Sequence, residues 1–476
     1  MCAIRTNVTI GEALSDTTNF DLVVLGGGSG GYAAALRAAE LGLTVALVEK
    51  DKLGGTCLHR GCIPTKALLH SAEVMDTVRS AADVGVSATL EGVDLQGVAK
   101  YRDRVVDGLY RGLSGLIRSR KIQVVTGHGT IAAPNTIDVV HPDGTQRSLV
   151  GRYLLIATGS LPQAIASVPV DHTTIITSDD ALGLVQVPRS ALILGGGAIG
   201  CEFASIWRAF GCKVTLVEAL DRLVPLEEES SSALLQREFT QQGITSVLGR
   251  RVMSARSVDD GAEVTLQDGS TLQARVVLVA IGRAPNTAGL GLQEAGVTLD
   301  RGYIVVNEQC RTTMDTIFAV GDVIPTLQLA HAGFAEGMLV AEVVAGQDPT
   351  PIVYSGVPRV TYSHPEVASV GLTSAAAVAQ GHDIKKVTYD LGGNGRARIL
   401  GASGAVTVIA GTNGPVLGVH MVGERVGDLV SEAQLIVNWE ATPSEVAAHV
   451  HAHPTLSEAL GEAHLALAGK PLHSHA

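Results

Sequence analysis

The sequence predicts an α/β fold with two copies of one strand–turn–helix–strand unit, each carrying an inserted β-meander, and a separate C-terminal α/β domain. Three observations point there. Hydrophobic residues fill 46% of 476 positions while aromatics fill only 3%, and 55 glycines accompany them; this is the mixture of closely packed helix-on-sheet layers with glycine-dependent turns. The chain is longer than one hydrophobic core supports, so about three domains are expected. Residues 25–50 align without a gap on residues 194–219, which makes the repeat the strongest internal signal in the chain.

Each copy starts with an apolar strand that runs into Gly-x-Gly-x-x-Gly, formed by Gly26, Gly28 and Gly31 in one and by Gly195, Gly197 and Gly200 in the other. The first glycine permits a tight turn, the second lets the backbone approach a pyrophosphate, and the third allows close helix packing. The phosphates then rest on the N-terminus of a helix rich in small residues. A second strand closes on an acid, Glu49 or Glu218, 23 positions after the first glycine of its copy, where a carboxylate can hold a ribose through its hydroxyls. Two Rossmann-like dinucleotide-binding domains follow from this. Pro-Asp-Gly at 142–144 and Gln-Asp-Gly at 267–269 are the hairpin turns of the two meanders. Each leads to a buried strand that ends in glycine, Gly159 and Gly282. Residues 316–322, TIFAVGD, read as a further buried strand ending at Gly321 and Asp322. The last domain has strands at 405–409 and 416–422 and helices at 428–439, 442–450 and 455–467. It carries no cofactor signature, so its expected role is pairing with a second subunit.

Between the first unit and its meander, residues 55–69 read GTCLHRGCIPTKALL, with Cys57 and Cys62 five positions apart. Five helical residues rise about 7.5 Å, more than the roughly 4.4–6.8 Å between the Cα atoms of a disulfide. If the sulfurs bond, residues 58–61 are not ordinary helix. Gly61 allows a bend, and Pro64 places a helix start near Cys62, where the helix dipole favours a thiolate. Spacing alone fits either a redox pair or two unrelated buried thiols. A redox pair after the first unit needs a cofactor that exchanges electrons with thiolates and hydride with nicotinamide, which a flavin does. FAD is therefore assigned to the first unit and a nicotinamide cofactor to the second. Glu218 favours NAD, because a carboxylate pairs with a free 2′-hydroxyl and repels a 2′-phosphate; Arg222 stands close enough to weaken that preference. Lys66 reads either as a positive charge beside a reduced flavin or as a solvated helix lysine. Glu202 reads either as a nicotinamide contact or as an acid that favours a helix N-terminal turn.

Near the C-terminus His449, His451 and His453 alternate before Pro454. In an extended segment they share one face and resemble a metal site, but no cysteine or acid at ligand spacing completes it, and no metal is expected. The sharper reading is catalytic. His453, with Glu458 five residues on, offers an imidazole that a carboxylate can orient and make more basic, and dithiols attack only as thiolates.

The formal charge of −12 disfavours nucleic acid as a partner. No apolar run approaches the roughly 18 residues of a membrane span, and residues 1–19 do not resemble a secretory signal. Six cysteines without framework spacing suit a reducing compartment, so a cytoplasmic protein is expected.

Together GGTCLHRGCIPTK, the paired glycine units, ATG, TIFAVGD and HAHPTLSEA resemble the pyridine nucleotide-disulfide oxidoreductases, from about residue 20 to 467, and most closely the members that oxidise dihydrolipoamide. The resemblance implies a homodimer with a lead over 1–19, an FAD domain over 20–157, an NAD domain over 158–284, a second, central FAD segment over 285–355 and an interface domain over 356–476. It implies FAD contacts from Gly26, Gly28, Gly31, Glu49, Lys50, Lys66, Gly129, Thr158, Gly159, Ser160, Asp322, Gln328, Leu329, Ala330 and His331. For NAD it implies Gly195, Gly197, Gly200, Glu202, Glu218, Val252 and Gly282. It further implies that His453, with Glu458, would serve Cys57 of the other subunit. The mechanism expected on that resemblance has dihydrolipoamide attack Cys57, with Cys62 left as the thiolate beside the flavin and the electrons leaving through FAD to NAD. The implied partner is a lipoyl group on a 2-oxoacid dehydrogenase or glycine-cleavage protein. His59 and Arg60 stand where the family often has Asn and Val, which puts the surroundings and potential of the disulfide in question. The rival readings are a reductase of another small disulfide or of quinones using NADH or NADPH, and a non-enzymatic redox sensor that keeps the fold.

Overall fold

The computed structural model describes residues 18–473, so the expected N-terminal lead falls outside it except for residues 18 and 19, which already belong to a strand. The chain divides into two compact units, one made of residues up to 55, 112–159 and 285–352, the other of 56–111, 160–284 and 353 onward.

The first unit is built on a seven-stranded sheet. Its parallel part runs Gln123–Thr126, Val45–Glu49, Thr18–Leu25 and Gln146–Ile156, with Ile317–Ala319 paired parallel to the end of Gln146–Ile156. Leu22, Val23 and Val24 are fully buried, as are Leu154, Leu155 and Ile156, because strands covered on both faces cannot alternate polar and apolar residues. Strand Gln146–Ile156 is long enough to serve two partners: its first half pairs antiparallel with Thr136–Val140. The first meander is thereby continuous with the main sheet. The second meander is not, for Val252–Val258, Gly261–Leu266 and Thr271–Ala274 form a three-stranded sheet of their own. The two copies thus match in their nucleotide turns and differ in how the inserted strands attach.

Helix Ser29–Glu40 packs on helix Ala330–Val344 through small residues. A Cβ on Gly337 would stand 2.3 Å from the Gly30 carbonyl oxygen, so only glycine allows this approach. Arg37 closes the pair at its edge, donating to Glu342 Oε1 at 2.7 and 2.9 Å.

The second unit holds a five-stranded parallel sheet ordered Thr245–Val247, Lys213–Val217, Ser190–Leu194, Val276–Val279 and Ile175–Thr177. Its core gathers Ile193, Leu216, Leu278, Phe203, Trp207 and Phe239. The same unit contains the C-terminal sheet, antiparallel throughout, ordered Arg359–Thr361, Glu366–Gly371, Val416–Gly423, Ala405–Gly411 and Ile384–Asp390. Helices Val426–Asn438 and Glu458–Leu467 cover it with Val430, Ala433, Leu460 and Ala463. Among the described residues no helix is long and apolar enough to cross a membrane.

Candidate active site

The two glycine turns match closely at their first and third glycines. Gly26 has φ of 107° and Gly195 of 110°, and a Cβ on either would lie 2.3 Å from a carbonyl oxygen, of Ala157 or Ala280. At Gly31 and Gly200 the same hypothetical atom would lie 1.9 Å from the oxygen of Gly26 or Gly195. Gly28 and Gly197, by contrast, face open space, Gly28 with only the Gly55 Cα at 4.0 Å. Those open backbones at the helix N-termini, N-caps of Ser29–Glu40 and Ala198–Ala209, fit a pyrophosphate. The acids do more than their position foretells. Glu49 accepts from Gly27 N at 2.7 Å and Asp51 N at 2.9 Å; Glu218 accepts from Gly196 N at 2.6 Å and Leu220 N at 2.8 Å. Each carboxylate braces its own turn and leaves lone pairs for a ribose. Arg222 is turned away to the Pro225 carbonyl at 2.9 Å.

Other expected cofactor residues have structural partners of their own. A Cβ on Gly129 would meet Leu25 at 2.5 Å. Thr158 Oγ1 donates to the Asn286 carbonyl at 2.8 Å, and Asn286 N donates to the Gly159 carbonyl at 2.9 Å. Ser160 is buried and receives Arg283 Nε at 2.7 Å. Asp322 lies in the short turn Gly321–Val323, while Leu329 caps and Ala330 opens helix Ala330–Val344, with Gln328 and His331 exposed beside that N-terminus. Lys50 is exposed, Val252 begins its strand, and Gly282 has φ of 124°. The fully buried Glu336 has no signal in the sequence: it accepts from Gly321 N at 2.6 Å and Thr326 Oγ1 at 2.8 Å, and so ties the TIFAVGD turn to the following helix.

Cys57 lies in helix Gly55–Arg60 and Cys62 opens helix Cys62–Arg79. With the two sulfurs not bonded to each other residues 58–60 are helical, and the break is confined to Gly61, whose ψ of −109° ends one helix and caps the next. Both cysteines are half-buried thiols, neither in a disulfide. The Cys57 thiol hydrogen-bonds to the Cys62 sulfur and, against the opposing effect of burial and with help from the Lys66 charge, brings the Cys62 pKa down to about 7. Burial alone does the opposite at Cys212, pushed up to about 12. Lys66 stands one turn along the same helix. Its Nζ lies 2.9 Å from both oxygens of the buried Glu202 and 4.6 Å from the Tyr362 ring centroid. Burial opposes the Lys66 charge, but Glu202 outweighs it and raises the pKa. Glu202 also accepts from Tyr362 N at 3.0 Å. The structure thus joins two residues 136 positions apart in the chain and adds Tyr362, which nothing in the sequence marks.

His453 Nδ1 lies 2.8 Å from Glu458 Oε1, and Thr455 N donates to Glu458 Oε2 at 2.8 Å. The His453 side chain is 77% exposed, open to a reactant, with Nε2 left for proton transfer. The alternating histidines do not share one face. His451 Nε2 turns to Glu432 Oε1 at 2.7 Å, and no group of three or more His, Cys, Asp or Glu among the described residues can hold a metal ion.

Residues 20–337 match the model of the pyridine nucleotide-disulphide oxidoreductases, and residues 357–464 match the dimerisation domain of that family. The chain belongs to this family. Its pyridine nucleotide-disulphide oxidoreductase relatives include dihydrolipoyl dehydrogenase of Bacillus subtilis, 43% identical with 96% of this chain and 99% of that protein covered. Dihydrolipoyl dehydrogenase of Chlorobaculum parvum is 38% identical, with 95% and 98% covered. Among solved structures, LpdA from Mycobacterium tuberculosis superposes with a TM-score of 0.88 at 27% identity, over 94% of this chain and 99% of that one. The family reading, and with it the α/β architecture, is therefore borne out.

Proposed function

We propose that the protein oxidises dihydrolipoamide to lipoamide with NAD as hydride acceptor, a reading in keeping with relatives named dihydrolipoyl dehydrogenase. The observation that carries this reading is the inequality of the two sulfurs, Cys62 at a helix N-terminus with its pKa near 7 and Cys57 preceding the break. A thiol–disulfide exchange catalyst needs one sulfur to be attacked and released and another to stay as thiolate.

As a member of the family the chain uses FAD and NAD, and the open backbones at Gly28 and Gly197 suit their pyrophosphates. FAD, when bound, supplies the chemistry that accepts an electron pair from a thiolate and releases it as hydride. Gly26, Gly28, Gly31, Glu49, Lys50, Lys66, Gly129, Thr158, Gly159, Ser160, Asp322, Gln328, Leu329, Ala330 and His331 would hold it. Gly195, Gly197, Gly200, Glu202, Glu218, Val252 and Gly282 would hold NAD. The corresponding domain bounds are 20–157 and 285–355 for FAD, 158–284 for NAD and 356–476 for the interface.

In the oxidised protein Cys57 and Cys62 form a disulfide. His453 of the partner subunit, oriented by its own Glu458, takes a proton from one substrate thiol, and the resulting thiolate attacks Cys57 while Cys62 departs as a thiolate. The second substrate thiol then attacks the mixed disulfide, lipoamide closes and Cys57 is released. Substrate loses two electrons and two protons; the cysteine pair gains the electrons, His453 holds one proton and Cys57 takes the other as it is released. Lys66 stabilises the Cys62 thiolate, and Glu202 keeps Lys66 charged. The protein acts as a cytoplasmic homodimer on lipoyl groups carried by a 2-oxoacid dehydrogenase or glycine-cleavage protein.

One anaerobic assay tests this: purified protein with dihydrolipoamide and NAD, then with NADP, following reduced nicotinamide. Turnover with NAD far above NADP is expected. Comparable rates with NADP, or none with dihydrolipoamide, would move the assignment to a reductase of another small disulfide.

A further inference from the structure

Three segments of the chain meet at Lys66. Helix Cys62–Arg79 brings the ammonium, helix Ala198–Ala209 brings Glu202, and the residue that follows strand Arg359–Thr361 is Tyr362. Lys66 Nζ lies 2.9 Å from each oxygen of Glu202 and stands over the Tyr362 ring, 4.6 Å from its centroid. The Tyr362 amide donates to Glu202 Oε1 at 3.0 Å. One residue therefore holds the acid through its backbone and the cation through its ring. The ring is backed in turn by helix Val426–Asn438, where a Cβ on Gly427 would touch Tyr362 Cε1 at 3.4 Å. The face of a neutral aromatic ring is negative and attracts an ammonium within about 6 Å. Burial holds the Tyr362 phenol above its ordinary pKa; Lys66 opposes that rise, while Glu366, Glu202 and Asp428 add to it. The hydroxyl thus stays protonated, and the pull on Lys66 comes from the π face.

We propose that Tyr362 is a positioning residue for the reaction, its ring restraining the Lys66 ammonium where that charge favours the Cys62 thiolate. Lys66 comes four positions after Cys62 on one helix, so the two side chains are neighbours, with about 5–6 Å between their Cβ atoms. The Lys66 side chain is 33% exposed, and an ammonium on a flexible four-carbon stem turns readily to water. Glu202 by itself is a poor restraint, because its own charge works against the Cys62 thiolate. A ring on a second side confines the ammonium and adds no negative charge. The groups acting on Cys62 are Cys57, Lys66 and Glu202; those acting on Lys66 are Glu202, Cys62 and Tyr362. This inference rests on the leaving-thiolate role given to Cys62 above.

Tyr362→Leu tests it, because leucine keeps an apolar side chain and the backbone amide on Glu202 but has no π face. Tyr362→Phe keeps the face and loses only the hydroxyl. The thiolate midpoint of Cys62 is read in the reduced holoenzyme from the pH dependence of its alkylation, resolved from Cys57 by peptide mass spectrometry. No dihydrolipoamide is needed. The midpoint should rise by about half a unit in Tyr362→Leu and stay in place in Tyr362→Phe. In a Lys66→Met background Tyr362→Leu should add nothing, since the ring acts only through the ammonium. An unmoved midpoint in Tyr362→Leu, the result a purely structural role predicts, would overturn the proposal. So would an equal shift in Tyr362→Phe, or a shift that persists in the Lys66→Met background. The expected shifts in a protein whose unsubstituted form does not turn over dihydrolipoamide would instead overturn the functional reading and leave the placement of Lys66 standing.

Discussion

At the scale of single residues, the chemistry depends on which thiol is a thiolate. Cys62 reaches a pKa of about 7 because Cys57 donates to it and Lys66 lends charge, while burial and Glu202 oppose. In the reduced protein, alkylation of Cys62 should therefore climb about tenfold per pH unit below 7 and level off above it. Lys66→Met removes the cation and leaves Glu202 without its partner, and both changes act in one direction. The midpoint of the thiolate absorbance titration should move up by about one to two units; an unmoved midpoint would show that Lys66 does not govern Cys62. Glu458→Gln takes the acceptor from His453 Nδ1, and kcat with dihydrolipoamide should fall about a hundredfold or more.

At the scale of elements, the glycines that matter are those where backbones touch. Helices Ser29–Glu40 and Ala330–Val344 approach closely only because Gly337 has no side chain. Gly337→Ala should cost about 1–3 kcal/mol by overpacking, read as a lower denaturation midpoint, and would have little effect if the helices could simply separate. The nucleotide turns are legible in the sequence, since each glycine of the motif answers to a local steric demand. The Cys57 to Cys62 segment was legible only in part: the helix start at Cys62 follows from Pro64 and the dipole, but spacing cannot say that Gly61 alone absorbs the bend. The alternating histidines show the same limit of spacing. Period-two reasoning presumes an extended strand, and the segment instead turns His451 and His453 to different acids.

At the scale of the whole molecule, the family assignment and its dimerisation domain make a prediction that single chains cannot. If His453 of the partner subunit serves Cys57, then Cys57→Ser and His453→Gln dimers, each inactive, should regain about a quarter of full activity when their subunits are mixed and re-paired. One site in each mixed dimer is then complete. No recovery in verified mixed dimers would place both residues in one chain's site.

What the sequence determined by itself is everything set by neighbours along the chain: the duplicated turns, the acids that close them, the buried parallel strands, and the His453–Glu458 pair five residues apart. Tertiary structure alone decided what distant residues do to each other. Lys66 and Glu202 are 136 positions apart and form one ion pair; Glu336 ties a turn to the following helix; Glu432 reaches back to His451 from another helix. The reason is one of range. Steric rules for glycine, proline and strand alternation act over a few bonds and leave a pattern, whereas the electrostatics of a buried site depend on which charges folding brings within a few ångströms, and no spacing in the chain encodes that.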